Sequence, residues 1–375
     1  MLLVFFYHYV LIPPETWIDK LYLGMVHYSW VGMHLFFALS GYLITGILLD
    51  TKEDQHYFSN FYGRRFLRIF PLYYLLLVIA IYILPKFNTP NWGTLAEIKG
   101  DEWSYWTYLC NFTIGQAGKW RYFLVDLAWS LAVEEQFYIL WPIVLYRLSP
   151  QRVFVLCIAL ILGALLCRVA FVINGMNDIA LYTSTFARFD AIAAGSAVAA
   201  AMRFQAPQAR DFFSRPIPYV IVSFLVAAAV LVPFRGKPEA SPVEIFGHGA
   251  IAIFSAFLIG ALVAPQPPKF LSQFFQFRLF RIVGAYSYGF YLFHIPIGTT
   301  IRDWLYPPEA FHKLAQSAFP GQILFLIGSG SAILAVSAIS YHCFEARFLS
   351  LKKHFEYDSQ HKVSHESQEF HTKAA

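Results

Sequence analysis

Apolar stretches long enough to cross a lipid bilayer constrain this chain more than any other feature. The stretch from Trp30 to Leu49 holds about 20 residues, almost all apolar, with His34 as its one strongly polar side chain. A helix of about 20 apolar residues spans the roughly 30 Å of hydrocarbon in a bilayer. Because similar stretches recur along the chain, the sequence predicts an all-α polytopic membrane protein.

The recurring stretches predict about ten transmembrane helices and no separate soluble domain. The predicted spans are residues 1–12, 30–49, 70–85, 129–147, 152–173, 186–202, 217–233, 247–264, 282–300 and 321–344. Only 14% of the residues are charged, against about 25% in soluble domains. We therefore expect a membrane-embedded domain over 1–350 and a polar, disordered cytoplasmic tail over 351–375.

The first apolar stretch is short. Met1–Ile12 cannot cross a bilayer alone. It is either re-entrant or the end of a longer helix, and we favour a start codon that lies upstream.

The distribution of Lys and Arg predicts the orientation of the helices. One alternating set of loops holds roughly twice as many basic residues as the other, in no more loop length. The richer set contains Lys52, Arg64, Arg65, Arg68, Arg147, Arg152, Arg203, Arg210, Arg215, Lys269, Arg278 and Arg281. Basic residues concentrate in cytoplasmic loops, so we expect both termini inside. The net charge of +5 then reflects membrane orientation, which favours membrane lipid over nucleic acid as a partner.

Several ionisable side chains fall within the predicted spans. A charged side chain at the bilayer centre costs about 2.5–3.5 kcal/mol by insertion scales, so such residues pair or line a cavity. In the predicted topology seven of them lie toward the outer ends of five helices. They are His8, His34, Glu134, Glu135, Arg188, Asp190 and His294. Their shared depth predicts one outward-facing site.

Two helices place small and polar residues on one face. His34 shares a face with Ala38, Gly41 and Thr45, and His294 shares one with Ser287, Tyr291 and Gly298. Small residues let helices approach closely, so these faces should turn toward the bundle. A packing face with a hydrogen-bonded histidine is an equally good interpretation for His294.

The segment Trp129–Pro142 carries two adjacent carboxylates. Ser130 and Glu134 share a helical face, whereas Glu135 points about 100° away, so the two glutamates cannot serve one site together. The alternative is that Ser130 caps the helix and both carboxylates are first-turn residues at the membrane interface.

Arg188 and Asp190 open another predicted helix. Two residues apart, they point to different sides, so we expect them to pair with residues of other helices. A structural salt bridge and a place in the substrate site both remain open for them.

Three arginines precede the second long span. Arg68 shares a helical side with both Arg64 and Arg65. Guanidinium groups bind phosphate through paired hydrogen bonds, although the arginines are also explained by anchoring of a cytoplasmic loop. The four cysteines are scattered and have no metal-ligand spacing, so neither a metal site nor a disulfide framework is expected.

Together these motifs resemble the acyltransferase-3 family, bacterial integral membrane proteins that acylate surface glycans and related molecules. The resemblance covers roughly residues 1–350. It is carried by YHY around His8, HLFFALSGYLIT with the following RRFLRIFPLYY, WSLAVEEQFYILWP and SYGFYLFHIP. Family members usually carry an arginine about ten residues before the histidine, but this chain begins seven residues before His8.

The resemblance implies an enzyme that transfers a non-aminoacyl group, commonly acetyl. The donor substrate is cytosolic acyl-CoA, with no permanently bound cofactor, and the acceptor is a hydroxyl of a surface glycan or glycolipid at the bacterial inner membrane. The resemblance also implies that His8 is catalytic. It implies that Arg65 and Arg68 of the R-x-x-R motif, with Arg64 beside them, bind acyl-CoA. Glu134 or Glu135 corresponds to the glutamate of a further family motif. We expect Glu134 to orient His8, whose imidazole can take the proton of an attacking hydroxyl.

Other residues are candidates for the substrate site. They are His34, Ser130, Glu135, Arg188, Asp190, Tyr291 and His294. Aromatic side chains near the predicted outer face are candidates for stacking on sugar rings, although such residues also form interfacial belts. They are Trp92, Trp103, Trp106 and Trp120.

The alternative function is a transporter or flippase of a polar or glycolipid substrate. Many spans and intramembrane polar residues suit that class, but the sequence shows no inverted repeat. The sequence names neither the acceptor, nor the acyl chain length, nor the oligomeric state.

Overall fold

The computed structural model describes residues 1–86, 95–203, 213–235, 237 and 241–357. The fold is about 81% helical, with no strand in these ranges. Its α-helices are α1 (Leu2–His8), α2 (Trp17–Val26), α3 (Gly32–Asp50), α4 (Tyr57–Val78), α5 (Glu102–Trp106), α6 (Cys110–Ala117), α7 (Phe123–Asp126), α8 (Ala128–Tyr146), α9 (Pro150–Ile173), α10 (Asp178–Thr183), α11 (Thr185–Met202), α12 (Ile217–Leu231), α13 (His248–Val263), α14 (Lys269–Phe275), α15 (Arg278–Ala285), α16 (Ser287–Thr300), α17 (Phe319–Ser340) and α18 (Ala346–Leu349). The predicted all-α class is confirmed for the described residues.

Six helical segments of the described chain are long and apolar enough to cross a membrane. They are Trp17–Asp50, Tyr57–Lys86, Pro150–Ile173, Ile217–Phe234, Val243–Val263 and Phe319–Phe355. This makes the chain a multi-pass membrane protein, but the predicted count of about ten is not confirmed. Helices α8 and α11 are comparable in length, at 19 and 18 residues, yet each carries two charged side chains and is largely buried.

Helix α9 shows how a lipid-facing span is built. Ser149 caps its N-terminus by accepting a hydrogen bond from the backbone N–H of Arg152, and Pro150 occupies the first turn, where its missing N–H costs nothing. Val155 and Leu166 are 67% and 68% exposed. Large apolar side chains exposed along a whole helix fit contact with lipid tails rather than water.

The closest helix packing joins α3 to α11. A Cβ added at Gly41 would lie 1.9 Å from the carbonyl oxygen of Ile192, and one added at Gly195 would lie 1.7 Å from that of Ala38. Only glycine permits such an approach of two backbones. The prediction that the small-residue face of the His34 helix turns into the bundle is therefore confirmed.

The end of α1 is fixed against α16 and α17. The hydroxyl of Tyr9 donates to the carbonyl oxygen of His294 at 2.8 Å, and the amide of Gln322 donates to the carbonyl oxygen of Tyr9 at 2.9 Å. The Phe5 ring packs edge-on against Phe290, with centroids 5.7 Å apart. These contacts determine where His8, the last residue of α1, lies.

The segment after α18 contacts the fold. Residues Ser350–Phe355 form a 3₁₀-helix, and the Phe355 ring lies against Gly63 of α4. The expectation of disorder from residue 351 onward is therefore wrong for 351–355. Residues 358–375 lie outside the described residues.

Candidate active site

A cavity of about 260 Å³ lies where α1, α8 and α16 meet. Its wall is largely aromatic, and its polar groups come from separate parts of the chain. Among the lining residues are Trp30, Trp120, Trp129, His8, His294 and Glu244. We refer to this space as the histidine cavity. Of the tryptophans proposed to stack on sugars, Trp120 lines it, and Trp92 lies outside the described residues.

Two histidines meet in the histidine cavity. The ring centroids of His8 and His294 are 5.3 Å apart. The His8 side chain is exposed into the cavity, whereas His294 is only 1% exposed. A side chain that performs chemistry on an incoming substrate must be accessible, and His8 meets that requirement.

The hydrogen bonding of His294 determines its tautomer. Its Nδ1 lies 2.5 Å from the carbonyl oxygen of Tyr291, and a carbonyl only accepts, so Nδ1 carries the proton. In the described part of the chain Nε2 has no hydrogen-bond partner. Nε2 therefore keeps a lone pair, which is the state of a nitrogen that can accept a proton.

A hydrogen bond between Ser130 and Tyr291 links α8 to α16 near these histidines. The hydroxyl of Tyr291 donates to the carbonyl oxygen of Leu127 at 2.6 Å, so Ser130 donates to Tyr291 across a 2.5 Å contact. Helix α8 begins at Ala128, with Leu127 at its N-cap position. The alternative in which Ser130 caps the helix is therefore wrong.

The loop before α8 places an aromatic ring beside His8. The Asp126 carboxylate accepts from the Tyr105 hydroxyl at 2.6 Å and from the backbone N–H groups of Arg121 and Tyr122 at 2.5 and 2.9 Å. Burial raises the pKa of the Asp126 carboxyl, and these hydrogen bonds oppose that rise. The loop so fixed carries Phe123, whose ring centroid is 6.4 Å from that of His8.

The two glutamates of α8 lie away from the cavity wall. Glu134 and Glu135 are 2% and 3% exposed, so the interpretation that places them at the membrane interface is wrong. Glu134 faces the hydroxyls of Ser40 and Tyr138, which are themselves 2.5 Å apart. Within the described residues one oxygen of each glutamate has no hydrogen-bond partner. No described contact joins Glu134 to His8.

Polar groups nevertheless follow one face of α8 from the arginines toward the histidines. The Arg65 guanidinium lies 5.1 Å from the ring centroid of Tyr138, and Tyr138 and Arg65 both act on Glu134. Four residues earlier, about 6 Å along the axis, Ser130 contacts Tyr291. The helix thus carries polar side chains on one face from Ser130 to Tyr138, about 12 Å along its axis.

A second group of polar side chains lies beside the cavity. His34 Nε2 and His248 Nδ1 are 2.8 Å apart, with their rings stacked. His248 Nε2 lies 3.2 Å from a Glu244 oxygen, which lies 3.6 Å from Arg188. We call these four residues the buried polar cluster, and Glu244 connects it to the histidine cavity because it also lines that cavity.

The salt bridges of α11 extend to its neighbours. Asp190 pairs with Arg168 of α9 at 2.6 Å, and both side chains are buried. Arg188 pairs with Glu244, just before α13. The prediction that these two residues pair with residues of other helices is confirmed. Arg168, Glu244 and His248 are missing from the predicted set, although Arg168 and His248 interrupt apolar spans just as His34 does.

The three arginines of α4 form what we call the arginine face. Arg64 donates to the carbonyl oxygen of Phe355 at 3.3 Å and lies 5.4 Å from the Tyr357 ring centroid. Arg65 lies over aromatic rings. In the described ranges none of Arg64, Arg65 and Arg68 forms a salt bridge, so their positive charge is not neutralised by a paired carboxylate.

Comparison with known proteins assigns the chain to a family. The family model of an acyltransferase domain matches residues 1–342. The chain belongs to the acyltransferase-3 family. This membership accounts for the four motifs that carried the resemblance in the sequence, and it places the chain in a class that transfers acyl groups other than aminoacyl groups.

Curated relatives of this acyltransferase-3 chain are O-acetyltransferases by name. It is 29% identical over 301 residues to the peptidoglycan O-acetyltransferase of Listeria monocytogenes, covering 73% of this chain and 46% of that protein. It is 27% identical over 287 residues to a putative peptidoglycan O-acetyltransferase of Bacillus subtilis, covering 72% and 44%. It is 25% identical over 295 residues to a putative O-acetyltransferase of Staphylococcus aureus, covering 74% and 47%. The matches span less than half the length of these relatives, and no solved structure matches.

The candidate site residues of the acyltransferase-3 chain fall into three places. His8, His294 and Tyr291 line the histidine cavity, and Ser130 is bonded to Tyr291. His34 and Arg188 belong to the buried polar cluster, with Asp190 next to it. Glu134 and Glu135 lie between the cavity and the arginine face. The single outward site predicted from shared depth is therefore divided among neighbouring places.

Proposed function

We propose that this chain is the membrane part of an O-acyltransferase of bacterial surface glycans. It moves an acyl group, in the simplest case acetyl, from cytosolic acyl-CoA to a hydroxyl of the glycan. Peptidoglycan is the first acceptor to test, because two relatives carry it in their names. The observation that carries the proposal is an accessible histidine beside a second, buried histidine in a cavity walled by aromatic side chains.

His8 acts as the general base. A neutral imidazole has one unprotonated nitrogen, so it can accept the acceptor hydroxyl's proton as the oxygen attacks the acyl carbonyl carbon. Where the pantetheine arm brings the thioester to the cavity, the C–O bond forms, the C–S bond breaks, and the coenzyme A thiolate takes up the proton from His8. Where a carrier residue brings the acyl group, the carrier's bond to the acyl carbon breaks instead, and the carrier takes up that proton. His294 keeps an unprotonated nitrogen in the same cavity and positions the pair. The aromatic wall suits a sugar ring, whose faces carry C–H groups.

The arginine face holds the donor. Coenzyme A carries a diphosphate and a 3′-phosphate, and guanidinium groups bind phosphate oxygens in pairs. The excess of basic residues in its set of loops supports a cytoplasmic position for this face, with both termini inside and the histidine cavity toward the outside. The polar groups along α8 lie between the two and support a route for the acyl group, either on the pantetheine arm or on a carrier residue.

Acetyl transfer by the purified protein tests this proposal. Wild type in detergent receives acetyl-CoA labelled in the acetyl group together with soluble peptidoglycan fragments. We expect label in an ester that mild base releases, and its loss by about a hundredfold or more in His8→Ala. His312→Ala is the control, because His312 is an exposed histidine outside the cavity.

Two results contradict the proposal. If His8→Ala retains the wild-type rate while folded, His8 is not the base. If wild type forms no labelled ester but reconstituted vesicles accumulate a glycolipid, the chain is a transporter and not a transferase.

A further inference from the structure

The chain segment Ser350–Tyr357, which we call the docked segment, lies against the arginine face. A Cβ added at Gly63 would lie 2.4 Å from the Phe355 ring, which shows how closely that ring packs on α4. Asn60 donates to the carbonyl oxygen of Glu356 at 2.9 Å, and Arg64 donates to that of Phe355. The contacts of the docked segment with α4 thus include the Phe355 ring and two backbone carbonyls, besides the Tyr357 ring under Arg64.

This docking brings a fourth cation to the arginine face. The charged groups that act on the Lys352 ammonium are Arg68, Arg64 and Arg65. Lys352 is partly buried, whereas Lys353, the next residue, is exposed. In the described part of the chain Lys352, like the arginines, forms no salt bridge.

In the described residues the nearby carboxylates form no salt bridge with these four cations. Glu345 is the acidic group that acts on Arg68, and it accepts a hydrogen bond from Ser340 at 3.1 Å. Glu134 and Glu135 interact with Arg65 from inside the bundle. Among the described residues, the charged groups that act on Lys352 are these arginines and include no acidic side chain.

Four gathered cations oppose the folding of the docked segment, because like charges repel. The ammonium of the next residue, Lys353, is exposed to solvent. A lysine of this segment can therefore lie in solvent, and the position of Lys352 beside the arginines is not a general property of lysines here. Local arrangements that oppose stability are expected at functional sites. An anion with several charged groups would offset this repulsion, and both arginine and lysine bind phosphate.

We propose that Lys352 is a phosphate-binding residue of the donor site, and that the docked segment completes that site on the arginine face. The ligand class is a nucleotide with several phosphates, of the kind that coenzyme A carries. This inference rests on the proposed function, which makes acyl-CoA the donor. An anionic lipid headgroup offers the same chemistry, and the experiment separates the two.

The test measures binding of coenzyme A to the purified full-length chain in nanodiscs of zwitterionic lipid, by titration calorimetry. Lys352→Gln should weaken binding by about tenfold, the loss of one charge-assisted hydrogen bond. Lys353→Gln is the matched control and should bind as wild type does. Phe355→Ala, which removes the ring packed on Gly63, should weaken binding in the same direction as Lys352→Gln.

Catalysis gives a second readout. Lys352→Gln should raise the KM for acetyl-CoA by the same factor, with kcat unchanged at saturating donor, because the side chain holds phosphate and does not touch the thioester. A merely structural role would lower kcat and the midpoint of thermal unfolding together.

The outcomes distinguish this inference from the proposed function. One outcome is that wild type binds coenzyme A and that Arg68→Gln weakens this binding but Lys352→Gln does not. The assignment of Lys352 is then wrong, while the donor site on the arginine face is retained. If wild type binds no coenzyme A, both fail. A third outcome is that phosphatidylglycerol in the nanodisc stabilises wild type, that Lys352→Gln removes this stabilisation, and that coenzyme A does not stabilise the protein. In that case the site binds a lipid headgroup.

Discussion

The contact between α3 and α11 gives the sharpest stability prediction. In Gly195→Ala the new Cβ would lie 1.7 Å from the carbonyl oxygen of Ala38 and 2.6 Å from its carbonyl carbon. Both atoms belong to the backbone of the facing helix, so no side-chain rotation relieves the clash. The two backbones would have to separate by more than about 1 Å, which opens the closely packed interface along both helices.

The expected loss of stability exceeds that of ordinary overpacking. Extra methylenes in a packed core cost about 1–3 kcal/mol, and we expect Gly195→Ala to reach at least the upper end of that range because backbone must move. Helix α11 also carries Arg188 and Asp190, so their pairing with other helices should weaken too. Thermal unfolding of the detergent-solubilised protein, followed by circular dichroism, measures the change.

A second glycine provides the control. Nothing lies within 4 Å of a Cβ added at Gly163 of α9, and alanine favours a helix over glycine by about 1 kcal/mol. Gly163→Ala should therefore unfold at or above the wild-type temperature. If Gly195→Ala unfolded at the same temperature as Gly163→Ala, the account of the α3–α11 contact would be refuted.

Three further predictions concern the site. Glu244→Gln removes the partner of Arg188 and should cost about 3–5 kcal/mol, the range for breaking a buried ion pair; an unchanged unfolding midpoint would contradict the buried polar cluster. Tyr291→Phe leaves Ser130 without its acceptor and should cost about 1–3 kcal/mol in chemical denaturation, and a variant as stable as wild type would show that the bond contributes nothing. His294→Gln should reduce acetyl transfer by about a hundredfold with donor binding unchanged; full activity would exclude His294 from the site.

Local patterns in the sequence predicted the helix faces well. The spacing of Ala38 and Gly41 places them on one side of α3 whatever surrounds the helix, and the structure packs that side onto α11. In the same way, two residues of opposite charge two positions apart must point apart. That geometry led to the prediction that Arg188 and Asp190 pair with other helices, and they pair with Glu244 and Arg168.

Depth in the membrane did not predict which groups meet. The topology placed His34 and His294 at a similar depth, but depth leaves the lateral position of each helix open. In the structure His34 meets His248, and His294 meets His8. Contacts of this kind depend on which helices pack together, and a single sequence does not carry that information.

The predicted number of spans is not confirmed, for a related reason. Helices α8 and α11 have the length of a span, but their charged residues lower the hydropathy. They lie among other helices, so their environment is decided by tertiary packing. The docked segment was likewise missed, because the polar composition around Lys352 and Lys353 predicts disorder, whereas the packing of Phe355 on Gly63 is a long-range contact.

The central claim is that one chain joins a cytoplasmic donor site to an outward histidine cavity. Sealed membrane vesicles of known orientation, with labelled acetyl-CoA supplied to one face, test it most directly. We predict esterified glycan when the donor is supplied to the face that carries Arg65 and Arg68, none when it is supplied to the other face, and none from either face in His8→Ala. Equal esterification with the donor on either face, or ester formed by folded His8→Ala, would contradict the account.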